Sequence, residues 1–291
     1  MDQTTAMYVA QGLHGLAYGM VLFLIAAGLN VIFGMMGVLN LAHASFFMLS
    51  AYLGFQFVSI TGNFWLALLL APPATAICGV LMERFLLTKV HAFGHMGELI
   101  LTLGVAQIIL AAVKGIWGTE SLPLKMPPLL EGRVTFAGLD YPIYRLFIIG
   151  LALAILAIMT LLLYKTRLGK IVRAAVSDAG MVNALGINIP LVFMMVFGIG
   201  IWMAGVAGVA IAPILTVFPG LADQVGMDAF IVVVTGGFGS LLGAFVVSII
   251  FGLLSSYGVQ FFSQFASVLI VGFMAIVLAI RPNGLFGARD A

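Results

Sequence analysis

Long apolar runs are the feature that most constrains this chain. They recur from end to end, and about 20 apolar residues are what a helix needs to cross a bilayer. Only helices and closed barrels satisfy their backbone polar groups inside lipid, and these runs lack the alternation of a barrel strand. With 63% hydrophobic and 8% charged residues and a mean hydropathy of +1.24, the sequence predicts an all-α integral membrane protein.

The runs predict a polytopic bundle of about eight spanning helices in one transmembrane domain covering residues 1–291. The predicted spans are 12–33, 43–60, 64–88, 95–117, 144–164, 190–215, 240–258 and 260–280. A shorter apolar piece, 226–237, ends in glycines and is predicted to be a short or re-entrant helix. The LADQVGMD segment before it carries Asp223 and Asp228 and is predicted to be an outer loop.

Basic residues predict which loops face the cytoplasm. They concentrate in loop 165–189, around the end of the third predicted span and in the C-terminal tail 281–291, and the positive-inside rule places all three regions in the cytoplasm. The residues are Lys165, Arg167, Lys170, Arg173, Arg84, Lys89, Arg281 and Arg289. Loop 118–143 has mixed charge and is then external, and counting the crossings puts the N-terminus outside. The N-terminus has no Lys or Arg, so we expect the first helix to be retained rather than cleaved as a signal peptide.

Loop 165–189 contains an amphipathic pattern. Wound as one helix over 167–186, it places its charged residues on one arc and its apolar residues on the other. Two interpretations remain open: a surface helix attracted to anionic lipid, or a docking helix for a cytoplasmic motor. In the second, Gly186 after Leu185 suits a helix stop. The residues predicted to couple the chain to such a motor are Arg167, Lys170, Arg173, Asp178, Ala179 and Gly186.

Polar residues within the apolar runs are candidates for a translocation pathway. Asn30, Asn40 and His43 interrupt GLNVIFGMMGVLNLAHASFFMLSAY, and Thr102 lies in the fourth span. Polar groups at membrane depth are costly and usually face an interior or a pathway. The alternative is a hydrogen bond between helices that only holds the bundle together. Glu98 shares a helix face with Thr102 but lies near the end of the helix. We therefore expect a solvated position for Glu98 at least as much as a role in a site.

Several kinds of chemistry lack support in the sequence. The phosphate-binding pattern GxxxxGK[ST] does not occur, so we do not expect this chain to hydrolyse ATP. No pair of His or Cys residues suggests a metal site, and the single cysteine, Cys78, excludes an internal disulfide framework. A net charge of +2 suggests no nucleic-acid partner. We therefore expect no catalytic residues, no metal and no cofactor bound by this chain.

Five blocks of sequence, taken together in order, resemble the permease subunits of branched-chain amino acid importers, within the larger group that includes ribose permeases. The first block is GLNVIFGMMGVLNLAHASFFMLSAY, and the third, RLGKIVRAAVSDAGMVNALGIN, corresponds to the loop by which the family docks on its ATPase. The others are ILTLGVAQIIL, DAFIVVVTGGFGSLLGA and the terminal RPNGLFG. The resemblance covers nearly the whole chain.

The resemblance implies a multi-pass protein of the bacterial inner membrane that works in an ATP-binding-cassette importer. It implies a second permease subunit, expected to be a different chain, two cytoplasmic ATPases that use ATP and Mg, and a periplasmic substrate-binding protein. The implied mechanism is alternating access, with branched-chain amino acids as substrates. Two alternatives stay open: the same architecture for an amide, urea or a sugar, and a secondary transporter or channel without an ATPase.

Overall fold

A computed structural model describes residues 3–136 and 139–287. Helices make up most of this part of the chain. The long helices are α1 Gln3–Met36, α2 His43–Thr61, α3 Phe64–Met82, α5 Gly94–Trp117, α6 Ile143–Lys165, α9 Ile189–Leu215, α10 Leu221–Gly236, α11 Leu241–Phe261 and α12 Ala266–Ile280. The short helices are α4 Thr88–Val90, α7 Arg167–Ser177 and α8 Ala179–Ala184, and an antiparallel hairpin joins β1 Arg133–Phe136 to β2 Leu139–Pro142. Arg289 lies outside the described residues.

The all-α polytopic prediction is confirmed. Within the described residues, 7 helices are long and apolar enough to cross a membrane. The predicted span 260–280 begins later, at Ala266, because α11 continues to Phe261 and a turn follows in which the Phe265 N–H donates to the Phe262 carbonyl. The short apolar piece predicted over 226–237 is α10, and it starts at Leu221. The prediction that LADQVGMD is a loop is therefore wrong, since these residues form the first half of α10.

Helix α9 occupies the centre of the bundle and packs against α1, α2 and α3. Its stripe of small residues, Ala204, Gly208 and Ala212, is buried. A Cβ atom at Gly208 would overlap the carbonyl oxygen of Phe47 in α2, so the two backbones are nearly in contact. This is the close approach that small residues at four-residue spacing allow between helices in lipid.

Hydrogen bonds between α1 and α11 define the two ends of the bundle. Near one end, the Gln11 amide donates to the Ser256 carbonyl at 2.6 Å, and near the other the Asn30 amide donates to the Ser240 carbonyl at 3.1 Å, so the helices are antiparallel. The end that contains the start of α1 also contains the hairpin, because His14 stacks on Tyr141. We call this the hairpin end and the other the basic end. The basic end contains α7, α8, the end of α3 with the turns after it, and the segment that follows α12. The basic residues at this end are Arg84, Lys89, Lys165, Arg167, Lys170, Arg173 and Arg281.

The amphipathic segment is two helices rather than the single predicted helix over 167–186. Helix α7 ends at Ser177, Asp178 takes an extended conformation, and its side chain accepts a hydrogen bond from the Met181 N–H to cap α8. Aspartate is a favoured N-cap because its carboxylate satisfies free N–H groups of the first turn, which explains the break. Helix α8 stops as predicted, with Gly186 at φ +83° and the Ile187 N–H donating back to the Val182 carbonyl.

Candidate functional site

Helix α2 begins inside the bundle rather than at its surface. After α1 ends at Met36, residues 37–42 are irregular, and the His43 imidazole Nε2 then lies 3.1 Å from the carbonyl oxygen of Ile25. Ile25 precedes the end of α1 by about three turns, roughly 16 Å along the helix axis. Irregular backbone at such depth is tolerated only where protein or a cavity surrounds it. The chain therefore re-enters the bundle between α1 and α2.

The backbone of this re-entrant segment is held by two side chains. The Asn40 Oδ1 atom accepts a hydrogen bond from the Ala42 N–H at 3.0 Å, and the Thr102 hydroxyl accepts one from the Leu41 N–H at 3.3 Å. Asn40, His43 and Thr102 are all buried. The structure thus brings three of the predicted pathway residues together around one break in the helical backbone, where α5 meets the start of α2.

A cavity of about 460 Å³ lies beside the break. Asn40, His43 and Ser45 contribute polar groups to its wall, and Gln107 and Asp223 contribute others from α5 and α10. The rest of the wall is mostly apolar, from Ile25, Leu29, Met48, Leu103, Leu110, Met227 and Phe230. Its size and mixed lining match sites for small molecules. Leu103 and Met227 are exposed, so the cavity reaches a face of the bundle formed by α5 and α10.

Asn30, the fourth predicted pathway residue, lies apart from this cavity. Its amide donates to the Ser240 carbonyl, and its Oδ1 atom accepts a hydrogen bond from the Gly239 N–H at 3.0 Å. Both partners belong to the turn between α10 and α11. A Cβ atom at Gly34 would lie 2.7 Å from the Gly239 Cα atom, so α1 also contacts this turn through bare backbone. The position of Asn30 is that of a residue holding two helices together.

A cluster of two glutamates and a histidine lies at the basic end. His91 Nδ1 is 2.6 Å from Glu98 Oε1, and His91 Nε2 is 3.4 Å from Glu83 Oε1, so the ring bridges α5 to the π-helical turn Glu83–Leu87 after α3. Both carboxylates are buried, and Glu98 is 6% exposed. The hydrogen bond to Glu83 raises the pKa of His91 to about 9, with Glu98 adding to the rise and burial opposing it. The charged imidazolium ties the start of α5 to the end of α3.

Sequence spacing gave no sign of this cluster. Glu83, His91 and Glu98 lie on three different kinds of turn, π, 3₁₀ and α, so no single helical period relates them. Glu98 nevertheless lies one turn before Thr102 on α5. The cluster therefore fixes the end of the same helix that supports the re-entrant segment.

Asp228 lies within α10 and not in an outer loop. The Tyr18 hydroxyl donates to its carboxylate at 2.6 Å, which joins α10 to α1. On another face of α10, a Cβ atom at Gly226 would lie 2.5 Å from the Ala44 Cβ atom of α2. This short helix, which forms one wall of the cavity, is thus held from two sides.

The predicted motor-coupling residues lie at the basic end. Arg167, Lys170, Arg173 and Asp178 are all exposed, and Arg173 folds back, donating to the Leu163 carbonyl and lying over the Tyr164 ring. Ala179 begins α8, and its side chain lies outside the described part of the structure. Val176, Met181 and Leu185 add exposed apolar surface at this end, and of these three the sequence pattern had placed Val176 on the apolar arc. We call Val176, Met181 and Leu185 the coupling face.

Comparison with known sequences gives matches along nearly the whole chain. Residues 12–279 match the family described as "Branched-chain amino acid transport system / permease component". The high-affinity branched-chain amino acid transport system permease protein BraD of Pseudomonas aeruginosa is 28% identical over 97% of each chain. LivH of Escherichia coli, with the same description, is 26% identical over 100% of this chain and 99% of that protein. LivM of Escherichia coli is 24% identical over 91% of this chain and 68% of that protein.

Comparison with solved structures supports the fold. "PsaBC from Streptococcus pneumoniae in complex with Fab" matches with a TM-score of 0.52 and 12% sequence identity, covering 94% of this chain and 92% of the other. At that identity the match concerns architecture alone: a bundle of membrane helices with the same overall course.

Proposed function

The chain belongs to the family of permease components of branched-chain amino acid transport systems, and from this premise we propose that it moves branched-chain amino acids inward by alternating access. The observation that carries the proposal is the cavity beside the start of α2, where buried polar groups of Asn40 and His43 meet a largely apolar wall inside the bundle. A neutral amino acid with an apolar side chain suits that combination. Asn40, His43 and Thr102 are the pathway residues of this proposal, and Asn30 serves it by holding α1 to the α10–α11 turn.

The proposal includes the partners of an ATP-driven importer. The exposed face of α5 and α10 beside the cavity is the place for a second permease subunit, which would complete the pathway. The relative LivM, described as a permease of the same transport system as LivH, supports two different permease chains. The coupling face and its neighbouring charges would contact one of two cytoplasmic ATPases, which bind ATP and Mg. A periplasmic substrate-binding protein would dock on the hairpin end.

Uptake by the reconstituted complex tests this function. We expect proteoliposomes that contain this chain, its partner permease and ATPases to accumulate leucine from the loaded binding protein only when ATP and Mg are present inside. Because the energy comes from ATP, an ionophore that dissipates ion gradients should leave the initial rate unchanged. Uptake that needs a gradient but no ATP would support a secondary transporter, and uptake of a sugar or urea without leucine would support another substrate.

We also propose that the basic end faces the cytoplasm, with the inner membrane as the location. The hairpin end carries Lys and Arg too, but mixes them with Glu120, Glu131 and Asp140, whereas the exposed charge of the basic end is predominantly positive. The start of α1 then lies outside, together with loop 118–143 and the hairpin.

Cysteine labelling tests the orientation. In a Cys78→Ala background, we expect Leu129→Cys to react with a membrane-impermeant maleimide in intact spheroplasts, because Leu129 is exposed at the hairpin end. Ser177→Cys, exposed at the end of α7, should react only after the membrane is permeabilised. The reverse pattern would show that the proposed orientation is inverted.

A further inference from the structure

Asn40 and His43 line the cavity, and each contains a buried side-chain nitrogen with no hydrogen-bond partner among the described residues. Asn40 is 2% exposed, and because its Oδ1 atom accepts from the Ala42 N–H, the free atom is the donor Nδ2. His43 is equally buried, and its Nε2 faces a carbonyl oxygen, which can only accept. In the neutral ring the proton is then on Nε2, and Nδ1, which also lacks a partner, is an acceptor. The residues that line the cavity thus include one unpaired donor and one unpaired acceptor, three residues apart in sequence at the start of α2.

The start of α2 adds further donors at this place. The N-cap residue, Ala42, has no side chain that can satisfy the N–H groups of the first turn. Ala44 and Ser45 belong to that turn, and both line the cavity. The N-terminal end of a helix carries partial positive charge and favours an anion. The free Asn40 amide therefore stands beside a helix end whose polarity favours the same kind of ligand group.

We propose that this corner of the cavity binds the α-carboxylate and α-ammonium groups of the transported amino acid. The Asn40 Nδ2 atom and the first turn of α2 take the carboxylate, and the His43 Nδ1 atom accepts a hydrogen bond from the ammonium. This inference rests on the proposed function and adds to it the residues that recognise the substrate. Buried polar groups are almost always paired, and a zwitterion supplies both missing partners at once.

The remaining wall indicates which side chains fit. Beyond the polar corner, the cavity is lined by Leu29, Met48, Leu103, Leu110 and Phe230. The charged side chain on the wall is Asp223, which is exposed at the margin. A substrate with a charged side chain would lose its hydration here without gaining a deeply placed counter-charge. The site therefore favours zwitterions with an apolar side chain.

Binding measured without the binding protein tests the assignment, because the binding protein also recognises amino acids. The purified complex of permeases and ATPases is titrated with tritiated leucine, and with leucinamide and isocaproate as competitors that lack the carboxylate and the ammonium, respectively. We expect Asn40→Leu to weaken leucine binding about 10- to 100-fold, the loss of one hydrogen bond to a charged group. Leucinamide binding should fall by a smaller factor, because its neutral carbonyl oxygen accepts a weaker hydrogen bond. His43→Phe should weaken leucine binding but leave isocaproate binding unchanged.

The control is Thr75→Val. This substitution also removes a buried polar group, but the Thr75 hydroxyl donates to the Ala71 carbonyl within α3 and lies away from the cavity. It should bind all three ligands normally. If Asn40→Leu weakens leucine and leucinamide equally, or changes neither, the carboxylate assignment is wrong and the amide has a structural role or holds a water molecule. Absence of saturable leucine binding to the wild-type complex would also overturn the inference. ATP-driven leucine uptake by the same complex would still uphold the proposed function, and its absence would refute that function separately.

Discussion

Replacing Gly252 by alanine is expected to prevent this chain from folding stably, although one methyl group is all that is added. A Cβ atom at Gly252 would overlap the carbonyl oxygen of Gly15 and lie 2.7 Å from the Gly19 backbone nitrogen. These are backbone atoms of α1, so neither can move aside as a flexible side chain could. Overpacking a tight contact costs about 1–3 kcal/mol and occasionally more. We expect a loss at or above the upper end of that range, because the contact is between two backbones.

Gly150→Ala is the matched control for this prediction. Gly150 lies within α6, and nothing comes within 4 Å of a Cβ atom built there. Alanine favours a helix over glycine by roughly 1 kcal/mol, so this substitution should be neutral or slightly stabilising. The measurement is thermal unfolding of the purified protein in detergent, together with its yield from the membrane. Equal unfolding temperatures for the two variants would show that α1 and α11 are not packed as the structure has them.

The contact between α1 and α11 shows which parts of the fold can be predicted from the sequence and which cannot. Apolar length predicted nearly every long helix, because the bilayer imposes that length whatever the packing. Small residues recur at four-residue spacing at several places in the sequence, among them Ala204, Gly208 and Ala212 of α9 and Gly15 and Gly19 of α1. That spacing alone does not show which glycines are in tight contact, because a glycine is in a tight contact only if its face meets another helix. Which helix faces meet depends on tertiary packing, and the sequence of a single helix does not show which of its faces another helix will contact.

The candidate site was predicted in part for a similar reason. Asn40, His43 and Thr102 were candidates because polar groups in apolar runs are costly, and that argument needs no three-dimensional knowledge. The depth at which α2 begins depends on the irregular segment 37–42, which hydropathy alone does not reveal. His91 was missed because turns of different period separate it from Glu83 and Glu98. Asp178 broke a predicted helix because its capping preference prevailed over the amphipathic pattern.

Loop 165–189 also has some features that the sequence pattern predicts and others that only the structure shows. Charge and periodicity marked 165–189 as a cytoplasmic contact surface, with Arg167, Lys170 and Asp178 among its exposed residues. The apolar residues of the coupling face lie on two helices set apart by the turn at Asp178, so no single helical projection groups them. Charged contacts at an interface set orientation and specificity more than affinity. Apolar residues that become buried at the interface are expected to contribute more of the binding free energy.

Leu185→Asp should therefore release the ATPase and abolish ATP-driven transport while the chain still folds and reaches the membrane. Leu185 is 72% exposed at the end of α8, so the isolated permease loses little, within about 0.5 kcal/mol for an ordinary surface substitution. In the assembled importer the same side chain would be covered by the ATPase, and burying a carboxylate there without a partner is costly. A residue central to an interface contributes about 2 kcal/mol or more, equivalent to roughly 30-fold in affinity.

Leu129→Asp provides the comparison, since it makes the same chemical change on a residue that is 76% exposed at the opposite end. Both variants should be purified from the membrane in normal amounts, but only Leu185→Asp should lose the ATPase on co-purification, and for that reason it should fail in ATP-driven uptake. A loop that merely rests on anionic lipid predicts otherwise, because its binding depends on positive charge. In that case Lys170→Gln would weaken function, and Leu185→Asp would leave co-purification of the ATPase intact. Normal ATPase retention by Leu185→Asp, with normal uptake, would show that α8 is not the docking element.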